Sequence, residues 1–256
     1  MKESVIKRVR EEFKDSPEDM KSIISIWENF DEKELANQNA IVELSSLPSE
    51  FSDKPQTSNS RLPFWGLPAY YGYDNYVVQD HNTCGQAVIG SFVDFYNKNP
   101  FNLPRNVKGY DGKMHFDNLA FIGNIFKQYG PNYPFPNGVT VRETIMQACQ
   151  AYGLKCHEYY PGSYSNGLDS KDQLTGWISK YKKPVAVLLD TSTNVFNNPA
   201  PFSLHWCTVY AYDAQSVYVA TWATSYKVSW GTFMKAWHCW WLPYPNNYYQ
   251  LRVWDI

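Results

Sequence analysis

Gln79-Asp80-His81-Asn82-Thr83-Cys84-Gly85-Gln86-Ala87 is the stretch on which the reading of this chain turns. Before it, Tyr76-Val77-Val78 is a short apolar run; after it, Val88, Ile89, Phe92, Val93, Phe95 and Tyr96 recur at helical spacing for about three turns. The order is strand, loop, helix, with Cys84 in the first helical turn. Unsatisfied backbone N–H groups and the positive end of the helix dipole favour a thiolate over a thiol at such a place. Gln79, upstream in the same loop, has a side-chain N–H to offer a developing oxyanion. Cys84 is therefore the candidate nucleophile.

Working outward, 256 residues can bury a full core, and one large domain with an appendage is the expectation. The net charge of −2 gives no reason to expect nucleic acid or an anionic membrane surface as partner. Aromatic residues make up 17% of the chain, with Tyr and Trp concentrated after residue 60, enough for a core and for lining a cleft. No apolar run approaches the roughly 20 residues that span a bilayer, and Met1-Lys2-Glu3-Ser4 does not open a signal peptide. A cytoplasmic protein is expected, with delivery by a non-Sec route left open. The five cysteines, Cys84, Cys149, Cys156, Cys207 and Cys239, are odd in number and irregularly spaced, which suits a reducing compartment. None forms a paired C-x-x-C, so neither a metal nor a cofactor is expected.

Residues 1–45 are charge-rich and carry two apolar stripes: Val5, Ile6, Val9 and Phe13, then Met20, Ile23, Ile24 and Trp27. Between them Ser16-Pro17-Glu18-Asp19 combines an N-cap serine, a first-turn proline and acids. Two amphipathic helices follow, forming a pro-, regulatory or delivery segment or docking on the main domain. Residues 46–61, rich in Ser, Pro, Asp, Asn and Gln, read as a linker, leaving 62–256 as the principal domain. Within it the spacing predicts helices over 118–129, 141–152 and 169–181 and a strand over 154–159. Pro184 to Leu189 is a continuous apolar run that predicts a central strand. A meander closes the chain: 205–212, 217–222 and 226–230 as strands, 232–237 as helix and 248–254 as the last strand.

A cysteine at a helix start and a histidine, His205, at a strand start about 120 residues later are what a thiol hydrolase needs. The imidazole takes the thiol proton and later returns one to the leaving amine. From about residue 63 onward the chain resembles the papain-like cysteine peptidases of the C39-like type, found in bacteria alone or in peptide exporters. The resemblance rests on Gln79 with Thr83-Cys84-Gly85-Gln86-Ala87, on Trp177 with Lys183-Pro184-Val185-Ala186-Val187-Leu188-Leu189, and on His205-Trp206, Tyr212-Asp213 and Val217-Tyr218-Val219. It continues through Tyr226-Lys227-Val228-Ser229-Trp230-Gly231-Thr232-Phe233 to Trp237.

The resemblance implies an α+β, papain-like two-lobe fold, a helical lobe and an antiparallel β-sheet lobe with the cleft between them, preceded by the N-terminal helical segment. It makes Cys84 the nucleophile, His205 the general base and acid, and Gln79 the oxyanion donor beside the Cys84 N–H. The family's third member, an Asp or Asn, corresponds here to Thr221, which can orient an imidazole but brings no charge. Asp213 lies at the far hairpin turn, out of reach of His205. The implied activity is cleavage of peptide or amide bonds through an acyl-enzyme, with a peptide or protein substrate. Two alternatives stand beside it: a catalytically weakened domain that binds peptide or partner, and an effector-like deamidase or acyltransferase using the same pair. His81 lies near the nucleophile, on the loop surface, while His115, His157 and His238 are read as structural.

Overall fold

A computed structural model describes residues 2–15, 17–28, 65–66, 84–108, 113–129, 142–158, 167–197, 204–221, 224–239 and 248–255. Among them are helices α1 (Lys2–Glu12), α2 (Pro17–Glu28), α3 (Cys84–Phe95), α4 (Asn118–Tyr129), α5 (Arg142–Ala151), α6 (Gly167–Tyr181) and α7 (Trp230–Trp237). The strands are β1 (Trp65–Gly66), β2 (Arg105–Lys108), β3 (Met114–Phe116), β4 (Leu154–Glu158), β5 (Val185–Asp190), β6 (Leu204–Tyr212), β7 (Ser216–Thr221), β8 (Thr224–Ser229) and β9 (Gln250–Asp255). Six strands form one antiparallel sheet in the order β4-β9-β5-β6-β7-β8, with β1 added against the end of β6. The class is α+β, and β5 is an inner strand with all six residues buried, as its unbroken apolar run requires.

Alternation along the strands divides the core in two. Ala186, Leu188, Trp206, Leu251 and Val253 face a layer built by α3, α4 and α5. Val185, Val187, Leu189, Cys207, Val209, Val217 and Val219 face α6 and α7. Since successive side chains of a strand leave opposite faces, each inner strand feeds both clusters. Among the described residues the sheet is thus covered by helices on both sides.

The N-terminal helices belong to the first of these layers. Val9 and Ile23 are fully buried in the same cluster as α3, with Ile6, Phe13, Met20 and Ile24 packed against it. Both helices thus pack on the chain's own core. The linker at 46–61 lies outside the described residues.

Local chemistry explains several boundaries. α5 stops at Gly153, whose φ of +77° is the left-handed conformation that glycine adopts without a Cβ penalty. α7 starts where the Ser229 hydroxyl accepts the Thr232 N–H at 3.2 Å. Gly90 sits where α3 meets α4: a Cβ there would lie 1.8 Å from Asn118 Oδ1, while Asn118 Nδ2 donates to the Ala87 carbonyl at 2.8 Å. The β2–β3 hairpin was not expected. Its signal was present in Asp111-Gly112, a turn dipeptide between two short β-prone runs.

Candidate functional site

Cys84 is the first residue of α3, as the apolar periodicity behind it required. It is 7% exposed and belongs to the cluster on the Trp206 face. α3 is buried on every side from Cys84 to Asp94, so the thiol is not presented on an open surface.

His205 is the second residue of β6, opposite Leu189 of β5. Its neighbours Leu204 and Trp206 pack into the Cys84 cluster, which sends the imidazole to the other face. There its ring stands edge-on to Phe196 at 6.3 Å, and Phe196 belongs to the α6–α7 cluster. Thr221 ends β7 on that same face, and its Oγ1 lies 2.6 Å from His205 Nε2. Burial lowers His205 to about 4, so it is neutral at pH 7. The expected partnership of His205 with Thr221 is therefore present as a hydrogen bond.

The structure brings His205 and Thr221 together and places Cys84 across the sheet from both. The segment that leads into Cys84, residues 67–83, lies outside the described residues. Gln79 and His81 lie outside the described residues. Asp213 is at the far turn as expected: its carboxylate accepts the N–H groups of Gln215 and Ser216 at 2.8 and 2.7 Å, and the Tyr218 hydroxyl at 3.0 Å.

A polar cluster that sequence reasoning passed over lies at the other end of α3. The Asp94 carboxylate, buried, contacts His115 Nδ1 and takes Arg105 NH1 at 2.5 Å. Arg105 also lies over the Phe116 ring at 5.6 Å. The cluster ties the β2–β3 hairpin to α3; nothing in the separate sequence positions 94, 105 and 115 announced it, because the hairpin itself was unread. Beside it, Leu103, Pro104, Asn106, Val107, Asp117 and Ala120 line a cavity of about 290 Å³. The same hairpin and helix carry Met114 and Leu119, both exposed.

All five cysteines are buried. Among the described residues no three His, Cys, Asp or Glu side chains converge on a metal position, and no helix is long and apolar enough to cross a membrane. In comparisons with known proteins, no family model matches the chain and no curated protein matches it.

Proposed function

We propose that this chain is a papain-like domain that keeps the residue order of a C39-like thiol hydrolase but acts, in the arrangement described, as a binder of peptide or protein. The observation that carries this is the placement of Cys84 and His205 on opposite faces of one sheet. General base catalysis needs the base within hydrogen-bond reach of the proton it takes, and a β-sheet filled by side chains on both faces denies that reach. Exposed Met114 and Leu119, on the elements that border the 290 Å³ cavity, give such a binder an apolar surface to use.

A second reading, hydrolysis or transfer at peptide or side-chain amides by Cys84 and His205, is favoured by two observations. Cys84 opens a helix, and His205 is neutral and oriented by Thr221. It requires α3 and β6 to present these two side chains to one another in a conformation different from this one.

Haloacetamide labelling of the full chain across pH, with Cys84→Ala and His205→Ala as controls, decides between them. The binding reading expects Cys84 to label no faster than an ordinary thiol of pKa about 8.5, with no change in His205→Ala. Rapid labelling below pH 7 that disappears in His205→Ala would overturn it and establish the pair. In that event peptide-library cleavage identifies a peptidase, and its absence with ammonia release or acyl transfer identifies the amide-directed alternative.

A further inference from the structure

The cavity between the β2–β3 hairpin and the start of α4 has a mixed lining. Leu103, Pro104, Val107 and Ala120 give it an apolar wall, and Asn106 and Asp117 supply the polar part. Asp117 is the one charged residue in that lining. Of the hairpin's cations, Arg105 is engaged with Asp94, while Lys108 and Lys113 are not part of the wall. The carboxylate is positioned by the helix it caps: Asp117 Oδ1 accepts the Leu119 N–H at 2.9 Å, and the Phe121 N–H donates to the Asp117 carbonyl at 3.1 Å. Asn106 is positioned by a slip in the hairpin register. Arg105 pairs with Phe116 and Val107 with His115, so Asn106 is the extra residue of a bulge, a device that re-aims a side chain, and it is exposed.

We propose, resting on the reading of the chain as a binder, that this cavity takes the amino end of a peptide or protein whose first side chain is small and aliphatic. A volume of about 290 Å³ lies at the lower end of ligand pockets, which suits one or two residues and not a folded epitope. The terminal ammonium meets Asp117 in a charge-assisted hydrogen bond, one of the recurring ways in which a peptide end is captured. The Asn106 amide offers an acceptor and a donor, the complement of the peptide group that follows the amine. Leu103, Pro104, Val107 and Ala120 then cover the first side chain. Asp117 disfavours an anionic ligand in the same place. A lysine or arginine side chain carries its charge several bonds away from its own peptide group, so in a space of this size it does not serve Asp117 and Asn106 together. Met114 and Leu119, exposed on the elements that border the cavity, offer apolar surface to the residues that follow.

The test titrates the full chain with the pentapeptide amide Ala-Val-Ser-Gly-Gly, once with a free amino end and once N-acetylated, and follows the side-chain amide of Asn106 by NMR. The expected result is a saturable shift with the free peptide and binding weaker by about tenfold or more with the acetylated one, as for the loss of one hydrogen bond to a charged group. Asp117→Asn removes the charge and keeps a residue that caps helices as well as aspartate does, so α4 starts as before. That variant should bind the two peptides alike. Equal affinity of the two peptides for the parent chain, discrimination that survives in Asp117→Asn, or no saturable shift with either peptide overturns the proposal. Slow labelling of Cys84 in the same preparation then leaves the binding reading standing, whereas rapid labelling that depends on His205 removes that reading as well.

Discussion

Leu188 and Leu189 are adjacent on β5, and the two faces they mark differ in kind. The Leu188 face is assembled from five helices, α1 to α5, and holds Cys84 together with a buried carboxylate, Asp94, that Arg105 and His115 contact. The Leu189 face is covered by α6 and α7, and its buried His205 is kept neutral with Thr221 for company. One residue of alternation separates a place for a thiol from a place for an imidazole. The lesson is that motif order along a chain says which residues lie on adjacent elements, and the face each takes is a separate question.

The largest effect is expected where one face depends on charge. Asp94→Ala leaves Arg105 and His115 without their shared carboxylate, and breaking a buried ionic cluster from one side costs about 3–5 kcal/mol. Urea denaturation measures it; a loss below about 1 kcal/mol would show that water replaces the carboxylate and that this face has no need of the cluster. Truncation then compares the faces directly. Leu188→Ala and Leu189→Ala each cost about 2–5 kcal/mol, but their local readouts should separate: the first speeds haloacetamide labelling of Cys84, the second raises the pKa of His205 by admitting water. Crossed readouts would break the comparison.

Much of this architecture was legible in the sequence. Asn118–Tyr129 lies where periodicity put it, α6 and β5 within two residues, and the β6–β7–β8 meander in its expected order. Cys84 at a helix start and the His205–Thr221 bond were legible for the same reason, since each depends on local pattern or on adjacent strands. The face that α3 chooses was not. β6 is buried at every position from His205 to Ala211, and α3 is buried all round, so neither element carries the polar stripe that would orient it. The Asp94 cluster was hidden for another reason: it joins a helix to a hairpin only four residues long on one side and three on the other, too short for a periodicity to register.

Acid should weaken the Leu189 face. His205 titrates at about 4 in the folded chain and near the ordinary value of about 6.5 when unfolded. Between those values the unfolded chain binds the extra proton, so stability contributed by neutral His205 is complete above pH 6.5 and falls as pH drops toward 4, by roughly 3 kcal/mol in all. His157, also near 4, titrates in the same window. The check is therefore a difference: the fall in unfolding free energy from pH 7 to pH 4.5 should be smaller in His205→Gln than in the parent chain by most of that amount. An identical fall would place His205 in contact with water.

The smallest effect bears most directly on function. Thr221→Val removes the hydroxyl 2.6 Å from His205 Nε2 without changing side-chain volume much, and a net loss of about 1–2 kcal/mol is expected for one buried hydrogen bond. Thr221→Ser should recover most of it, because the hydroxyl and not the methyl is what meets the ring. Labelling of Cys84 should be the same in all three chains, since the thiol belongs to the cluster on the opposite side of the sheet. A stability loss with unchanged labelling makes Thr221 a structural partner of a structural histidine. Slower labelling in Thr221→Val, restored in Thr221→Ser, would mean that the hydroxyl acts through His205 on the thiol, and then the two faces cannot be as separate as this arrangement has them.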